Sequence, residues 1–390
     1  MKNRIRALGA VLIMTMVVPM AACGQKKEGT KSVDIGQSGS RIEQTVSGAD
    51  DSKSNKTASE KKEKAAAKTV KFVDSAGRTV EIPERIMKVA PSGNLAQMML
   101  STIAPDLMVG VAKRPGEKAQ PYLPKELSEL PELGTFYGKN ANMNLEAVLK
   151  AEPQVIIDIG EKKKTIKEDM DGLQKQLGIP VIFLEATLNN MDQAYITIGK
   201  LLNKEESTGR QAAYIRKTLD EAKEKSAAIA DDKRVLVYYA EGDDGLATNP
   251  KGSIHADVID IVGGRNVAEV EMKSGKGGEQ ISMEQLLAWN PTVIISATKT
   301  VAPGSVPTGA GWEGLQAVQN KKIYRIPQLP FSFMGRPPAV NRIIGIKWLG
   351  NLLYPDVFSY DMKQEVKEFY QLFYHCELTD EQVEKLLKQK

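Results

Sequence analysis

Hydrophobic and polar positions along the chain follow two periods, and together they predict an α/β protein. Short apolar runs typical of buried strands occur at 86–90, 108–111, 155–157, 181–184, 234–239, 293–295 and 322–326. Between them lie amphipathic segments with the period of a helix. Strands that alternate with helices predict parallel sheets with helical connections.

The remaining pattern adds a hairpin and a series of helices. Residues 70–83 alternate around an Asp-Ser-Ala-Gly turn, which predicts a β-hairpin. One helix is predicted to end near Gly178, and two more lie before the C-terminus. The other helices are predicted at 95–103, 190–202, 208–229, 254–262, 312–318 and 340–353. The helix over 208–229 would span about 30 Å, which is enough to connect two lobes.

One phrase occurs twice. Residues 145–157 read LEAVLKAEPQVII and residues 283–295 read MEQLLAWNPTVII, with the same spacing from Glu146 or Glu284 to the following proline. Each copy predicts a short helix that begins with an acid, stops at the proline and leads into a buried strand. The separation is too wide for a solenoid, whose period is roughly 20–50 residues. The repeat therefore predicts two lobes built on one plan.

The N-terminus has the pattern of a lipoprotein signal. Three basic residues precede an apolar run at 7–19, which is shorter than the roughly 20 residues of a membrane span. The sequence Ala-Ala-Cys-Gly then follows, with Cys23 as the residue that would be lipidated. We expect a signal peptide at 1–22 and, over 23–68, the lipidated cysteine with a disordered polar tether. This places the protein on the extracytoplasmic face of the cell membrane.

Composition and motifs argue against several classes of function. A net charge of +4 over 390 residues, with no basic stripe, argues against nucleic-acid binding. With only two histidines, His255 and His375, the chain cannot form a polyhistidine metal site. No nucleophile elbow, P-loop, zinc motif or dinucleotide fingerprint is present, so a binding protein is favoured over an enzyme. We expect a monomer without a cofactor.

Several phrases, in order, resemble one family. They are Asp-Ser-Ala-Gly-Arg-Thr-Val at 74–80, Asn-Leu-Glu at 144–146, Gly-Gly-Arg-Asn-Val at 263–267, Ser-Met-Glu at 282–284 and Arg-Pro-Pro at 336–338. With the signal, tether and long helix, the chain resembles the substrate-binding proteins of iron-chelate and cobalamin ABC importers. The resemblance implies two Rossmann-like lobes with central parallel sheets, joined by a long rigid helix, with a ligand cleft between them. The predicted parts are an N-terminal lobe at 69–189, linking helices at 190–230, a C-terminal lobe at 231–354 and closing helices at 355–390.

The resemblance also assigns a role to the repeated glutamates. In this family one glutamate from each lobe meets arginines on the ABC permease dimer, which works with a cytoplasmic ATPase. Glu146 and Glu284 fall on those positions. The alternative is that each acid only favours its own helix N-terminus, an effect of about 0.3–1 kcal/mol.

Ligand contacts are expected at loops that follow the strands, because open α/β sheets bind ligands there. The candidates are Ser92, Asn94, Arg114, Tyr137, Lys139, Tyr239, His255, Phe333 and Arg336. Aromatic and cationic side chains suit a bulky anionic metal chelate, of the ferric siderophore type. Direct metal contact by His255 or Met334 stays open, as do molybdate or tungstate, haem and corrinoid ligands. A surface enzyme or a sensory lipoprotein on this fold is the less favoured alternative.

Overall fold

A computed structural model describes residues 68–137, 141–272, 278–306 and 311–388. The predicted signal peptide, Cys23 and all of the tether before residue 68 lie outside the described residues, as does Lys139. No helix within the described ranges is long and apolar enough to cross a membrane.

The described residues form eleven strands and thirteen α-helices, beside short 3-10 turns. The strands are β1 (Thr69–Val73), β2 (Thr79–Pro83), β3 (Val89–Pro91), β4 (Val155–Gly160), β5 (Val181–Glu185), β6 (Leu236–Ala240), β7 (Ala247–Thr248), β8 (Arg265–Asn266), β9 (Glu279–Gln280), β10 (Val293–Ser296) and β11 (Ile323–Arg325). The helices are α1 (Asn94–Ile103), α2 (Glu126–Glu129), α3 (Leu145–Ala151), α4 (Ile166–Leu177), α5 (Met191–Leu202), α6 (Glu205–Ala227), α7 (Asp257–Ile261), α8 (Met283–Trp289), α9 (Gln316–Gln319), α10 (Asn341–Leu353), α11 (Pro355–Phe358), α12 (Met362–Tyr374) and α13 (Asp380–Leu387).

Two separate parallel sheets confirm the α/β prediction. One has the order β3-β4-β5 and the other β11-β10-β6-β8. Residues Val155–Ile159 of β4 are all buried, as expected for a parallel strand covered on both faces. The predicted hairpin is present as the antiparallel pair β1 and β2, and a second small pair joins β7 to β9.

Two predicted elements are wrong. The strand expected at 108–111 forms only single bridges, from Met108 to Val89 and from Val111 to Glu132, because each end of the segment pairs with a different partner and no ladder extends. The helix expected at 312–318 is split into a 3-10 turn, Trp312–Gly314, and α9. The extended backbone of Leu315 (φ −79°, ψ 134°) interrupts it.

Helix α6 contacts both the N-terminal and the C-terminal part of the fold, as expected of the predicted long helix. Its 23 residues span roughly 35 Å. The Gln211 side-chain amide donates to the carbonyl of Thr102 at the end of α1 (2.7 Å) and to that of Leu372 in α12 (3.0 Å). The Lys225 ammonium donates to the carbonyl of Val357 in α11 at 3.0 Å. Hydrogen bonds near both ends therefore hold α6 against the neighbouring helices.

The closing helices contribute to the core. Phe373 of α12 is fully buried, and its ring lies 5.7 Å from that of Tyr195 in α5. Tyr370 of the same helix lies 5.9 Å from Tyr122 in the segment that follows α1. Helix α12 therefore packs against elements of the N-terminal part of the fold, and the exact domain boundaries stay predictions.

Candidate functional site

A cavity of about 440 Å³ lies where the segments after β3 meet the loop that follows β11. Both halves of the fold contribute to its lining, which consists of Asn94, Gln97, Lys113, Arg114, Pro115, Gly116, Ala119, Leu123, His255, Pro330, Phe331, Arg336 and Pro337. Asn94, Arg114, His255 and Arg336 of the predicted residues are thus brought together. We call this space the cleft cavity.

The N-terminal wall is organised by Gln97. Its side-chain amide donates to the carbonyl of Lys113 and its oxygen accepts the Lys113 amide, both at 2.9 Å. This two-way bond ties helix α1 to the loop that carries Lys113 and Arg114, both exposed. The backbone amide of Arg114 is held by the carboxylate of Glu132 at 3.1 Å. Two cationic side chains are therefore presented from a fixed loop.

The C-terminal wall is built on an ion pair. Nε of Arg336 donates to Oε1 of Glu241 at 2.6 Å, and Nη2 donates to the other carboxylate oxygen and to Oδ1 of Asn249. The Glu241 side chain is only 9% exposed, against 45% for Arg336. The hydrogen bond to Glu241 raises the pKa of Arg336. These bonds occupy Nε and Nη2, so Nη1 is the nitrogen available to a ligand.

His255 is held in one tautomer. Its Nδ1 lies 2.6 Å from the carbonyl oxygen of Gly335, which can only accept, so Nδ1 carries the proton. Burial, with the charge of Arg336 second, lowers the pKa of His255, so the ring is neutral at pH 7. Nε2 then has a free lone pair, the arrangement typical of a metal-binding histidine. No three His, Cys, Asp or Glu side chains group together as a metal site in the described ranges.

The other predicted contacts that the structure describes do not line the cleft cavity. Tyr239, Phe333 and Met334 are fully buried, because they belong to the hydrophobic core. Tyr137 lies under the ammonium of Lys163, 3.6 Å from its ring centre.

Ser92 is also buried, and it forms a hydrogen bond within the protein. Its hydroxyl donates to the carboxylate of Asp158 at the end of β4. Asp158 is 6% exposed, and burial raises its pKa from 3.8 to about 6. The pair is therefore a buried polar contact beside the cleft rather than part of its lining.

Replacing Asp158 with asparagine should raise stability at neutral pH. The folded protein holds this proton up to about pH 6 whereas the unfolded chain releases it near 3.8, so the wild-type free energy of unfolding falls between about pH 4 and 6. Urea titrations should show D158N more stable at pH 7 by roughly 2–3 kcal/mol, with the difference gone at pH 4. An equal offset at both pH values would contradict the assignment.

Sequence reasoning missed Gln97 and the segment 115–123. The available signal was a glutamine inside the apolar run at 95–100, because an amide buried by its neighbours requires hydrogen-bond partners. In the structure Gln97 is only 7% exposed. Nothing in the pattern of the segment 115–123 distinguished its cavity-facing residues.

The repeated phrase folds twice into the same structure. The side chain of Asn144 caps α3 by accepting the Ala147 amide at 3.0 Å, and Ser282 caps α8 by accepting the Gln285 amide at 3.2 Å. Both helices have seven residues and end in a left-handed residue, and each leads into a buried strand. The duplicated sequence thus yields two matching helices.

Each of these helices presents a glutamate and a leucine to solvent. Glu146 and Glu284 are exposed at the second helical position. Hydrogen bonds to its own backbone amide and to Ser282 lower the pKa of Glu284. Leu149 is 50% exposed and Leu287 is 37% exposed, each three residues after its glutamate and so on the same helix face.

The chain is similar to known proteins in both sequence and structure. Residues 96–329 match a family model described as periplasmic binding protein. The molybdate-binding protein MolA of Haemophilus influenzae is 28% identical over 261 residues, 60% of this chain and 70% of that protein. The Fe(3+)-citrate-binding protein YfmC of Bacillus subtilis is 26% identical over 196 residues, 49% of this chain and 58% of that protein. An ABC transporter solute binding protein from Sulfurospirillum deleyianum superposes with a TM-score of 0.74 at 32% identity, over 82% of this chain and 99% of that one.

Proposed function

Because the chain belongs to the periplasmic binding protein family, whose members bind substrates for ABC transporters and are not enzymes, we propose that it captures an anionic iron chelate and delivers it to an ABC permease. The observation that carries this proposal is the cleft cavity, lined by cations from both halves of the fold. Lys113 and Arg114 meet the ligand from one side and Nη1 of Arg336 from the other.

The size of the cavity supports an organic complex. A volume of about 440 Å³ lies within the usual range of roughly 300–1,000 Å³ for small-molecule sites. The ring of Phe331 and the prolines beside it offer apolar contact, and the cations neutralise carboxylate or catecholate oxygens. The free lone pair of His255 Nε2 suits an open coordination position on the iron.

Molybdate is the second candidate. The similarity to a molybdate-binding protein favours it, and an oxyanion can bind between arginine and lysine side chains. The size of the cavity and the apolar part of its lining argue against molybdate, because a small tetrahedral anion would not contact them.

For the permease contact we propose Glu146 and Glu284, as the family resemblance implies. Their exposure, matching caps and equivalent positions support this role, since carboxylate–arginine pairs fix the register of partners. The exposed Leu149 and Leu287 add an apolar contact beside each acid. The proposal includes a lipid anchor at Cys23, which holds the protein on the outer face of the cell membrane.

A ligand panel tests the proposal. We expect ferric citrate or ferric catecholate complexes to quench the intrinsic fluorescence of the purified protein saturably, with one ligand per chain. Iron-free citrate and neutral complexes should bind at least roughly tenfold more weakly, because they lack the metal or the charge. Saturation by molybdate or tungstate alone would replace the chelate with the second candidate, and no binding by any anion would overturn the assignment of the cavity.

A further inference from the structure

A second and larger cavity, of about 880 Å³, adjoins the segment 115–123. We call it the rear cavity. The segment lines the two spaces with different residues: Gly116, Ala119 and Leu123 face the cleft cavity, whereas Lys118, Pro121 and Tyr122 face the rear cavity. Helix α13 supplies much of the opposite side of the rear cavity.

The lining of the rear cavity is strongly basic. It contains Lys118, Arg325, Lys385 and Lys388, against Glu381 as its acidic member. Lys388, directly after α13, already bonds to Glu384 of that helix at 3.0 Å. Across the described ranges the side chains of the other three form no ion pair or hydrogen bond, so three unpaired cations border one space whose lining contains a single acid, Glu381.

Arg325 marks this space as a site. Its Nε is buried without a hydrogen-bond partner in the described part of the chain. The buried Arg78 shows the usual outcome, since its guanidinium bonds to Asp74, Asp171 and a backbone carbonyl. A buried charged donor that lacks an acceptor is costly. Because Nε has almost no accessible surface, an anion in the rear cavity would compensate the charge through the part of the half-buried Arg325 side chain that borders the cavity.

We propose that the rear cavity binds a small multivalent anion with phosphate or carboxylate oxygens, separately from the ligand of the cleft cavity. Arg325 provides the planar fork that matches such oxygens, and Lys118 and Lys385 add point charges from two other elements. Tyr122 and Leu386 close the space with apolar surface. The chemistry that recognises the anion is thus a cluster of three cations on the segment 115–123, β11 and α13.

The test uses pyrophosphate as the probe in calorimetry at low ionic strength. We expect one probe molecule to bind per chain and to raise the melting temperature, since a ligand of the native state stabilises it. The double variant R325A/K385A should bind the probe roughly tenfold to a hundredfold more weakly than wild type. The single variant R325K should have an affinity between the two, because lysine keeps the charge but lacks the planar fork. The variant K113A/R114A, altered in the cleft cavity alone, should bind the probe normally.

The control K71A/K200A removes two exposed lysines far from the rear cavity in sequence and leaves the net charge equal to that of R325A/K385A. Unchanged affinity in this control, with loss in R325A/K385A, supports the site. Equal losses in both variants would reveal only non-specific charge attraction, and absence of binding by wild type would also overturn the proposal. Loss in K113A/R114A alone would place the anion in the cleft cavity instead.

Discussion

Reversing both Glu146 and Glu284 to lysine should abolish stimulation of the permease's ATPase and leave ligand affinity unchanged. Both acids are exposed on matching helices. In the proposed contact they meet permease arginines, so the change places two cations opposite them. Like charges at two contacts cost several kcal/mol, which amounts to roughly a thousandfold loss of association. The measurement is ATP hydrolysis by the reconstituted permease as the binding protein is titrated.

The matched control is the double variant E168K/E206K. Glu168 and Glu206 are exposed acids in the first turns of α4 and α6, so their reversal also places a cation at a helix N-terminus. E206K additionally removes an exposed ion pair with Arg210. If the repeated glutamates serve only their own helix dipoles, the two double variants should behave alike. Normal stimulation by E146K/E284K would remove these residues from the permease contact.

Replacing Arg336 with alanine should weaken ligand binding by roughly a hundredfold, because a charge-assisted bond is lost from the middle of the site. The same change leaves the Glu241 carboxylate, 9% exposed, without its partner. An uncompensated buried charge destabilises a fold by about 3–5 kcal/mol. R336A should therefore lose both affinity and stability.

The double variant R336A/E241Q separates these two effects. Glutamine carries no charge, so stability should return to within about 1 kcal/mol of wild type, whereas affinity should stay low because Nη1 is still absent. Calorimetry with ferric citrate and urea titration measure the two quantities. Recovery of affinity together with stability would show that Arg336 maintains the fold and does not contact the ligand.

The sequence predicted most of the elements because hydrophobic periodicity is local. Strands such as β4 and β10, with the short helices before them, follow from thirteen consecutive residues in each copy of the repeat. The strand expected at 108–111 failed because pairing depends on distant partners. Its two ends bond to the segments around Val89 and Glu132, which no local pattern reveals.

The site was harder to predict than the fold. Arg336 and Glu241 are 95 residues apart, so their pairing exists only in three dimensions. In the loop after β11 the pattern suggested Phe333, but the chain turns so that Phe331 lines the cavity and Phe333 enters the core. Predicting which aromatic side chain faces a ligand requires the backbone path of the loop.

Hydrogen exchange tests the central claim most directly, because a ligand held between the two halves of the fold must protect both. With a saturating ferric chelate, we expect amides in 113–123 and in 329–337 to exchange more slowly together, and this joint protection should be absent in R336A/E241Q. Protection of one segment alone, or of neither while the chelate binds elsewhere, would contradict a ligand site in the cleft cavity.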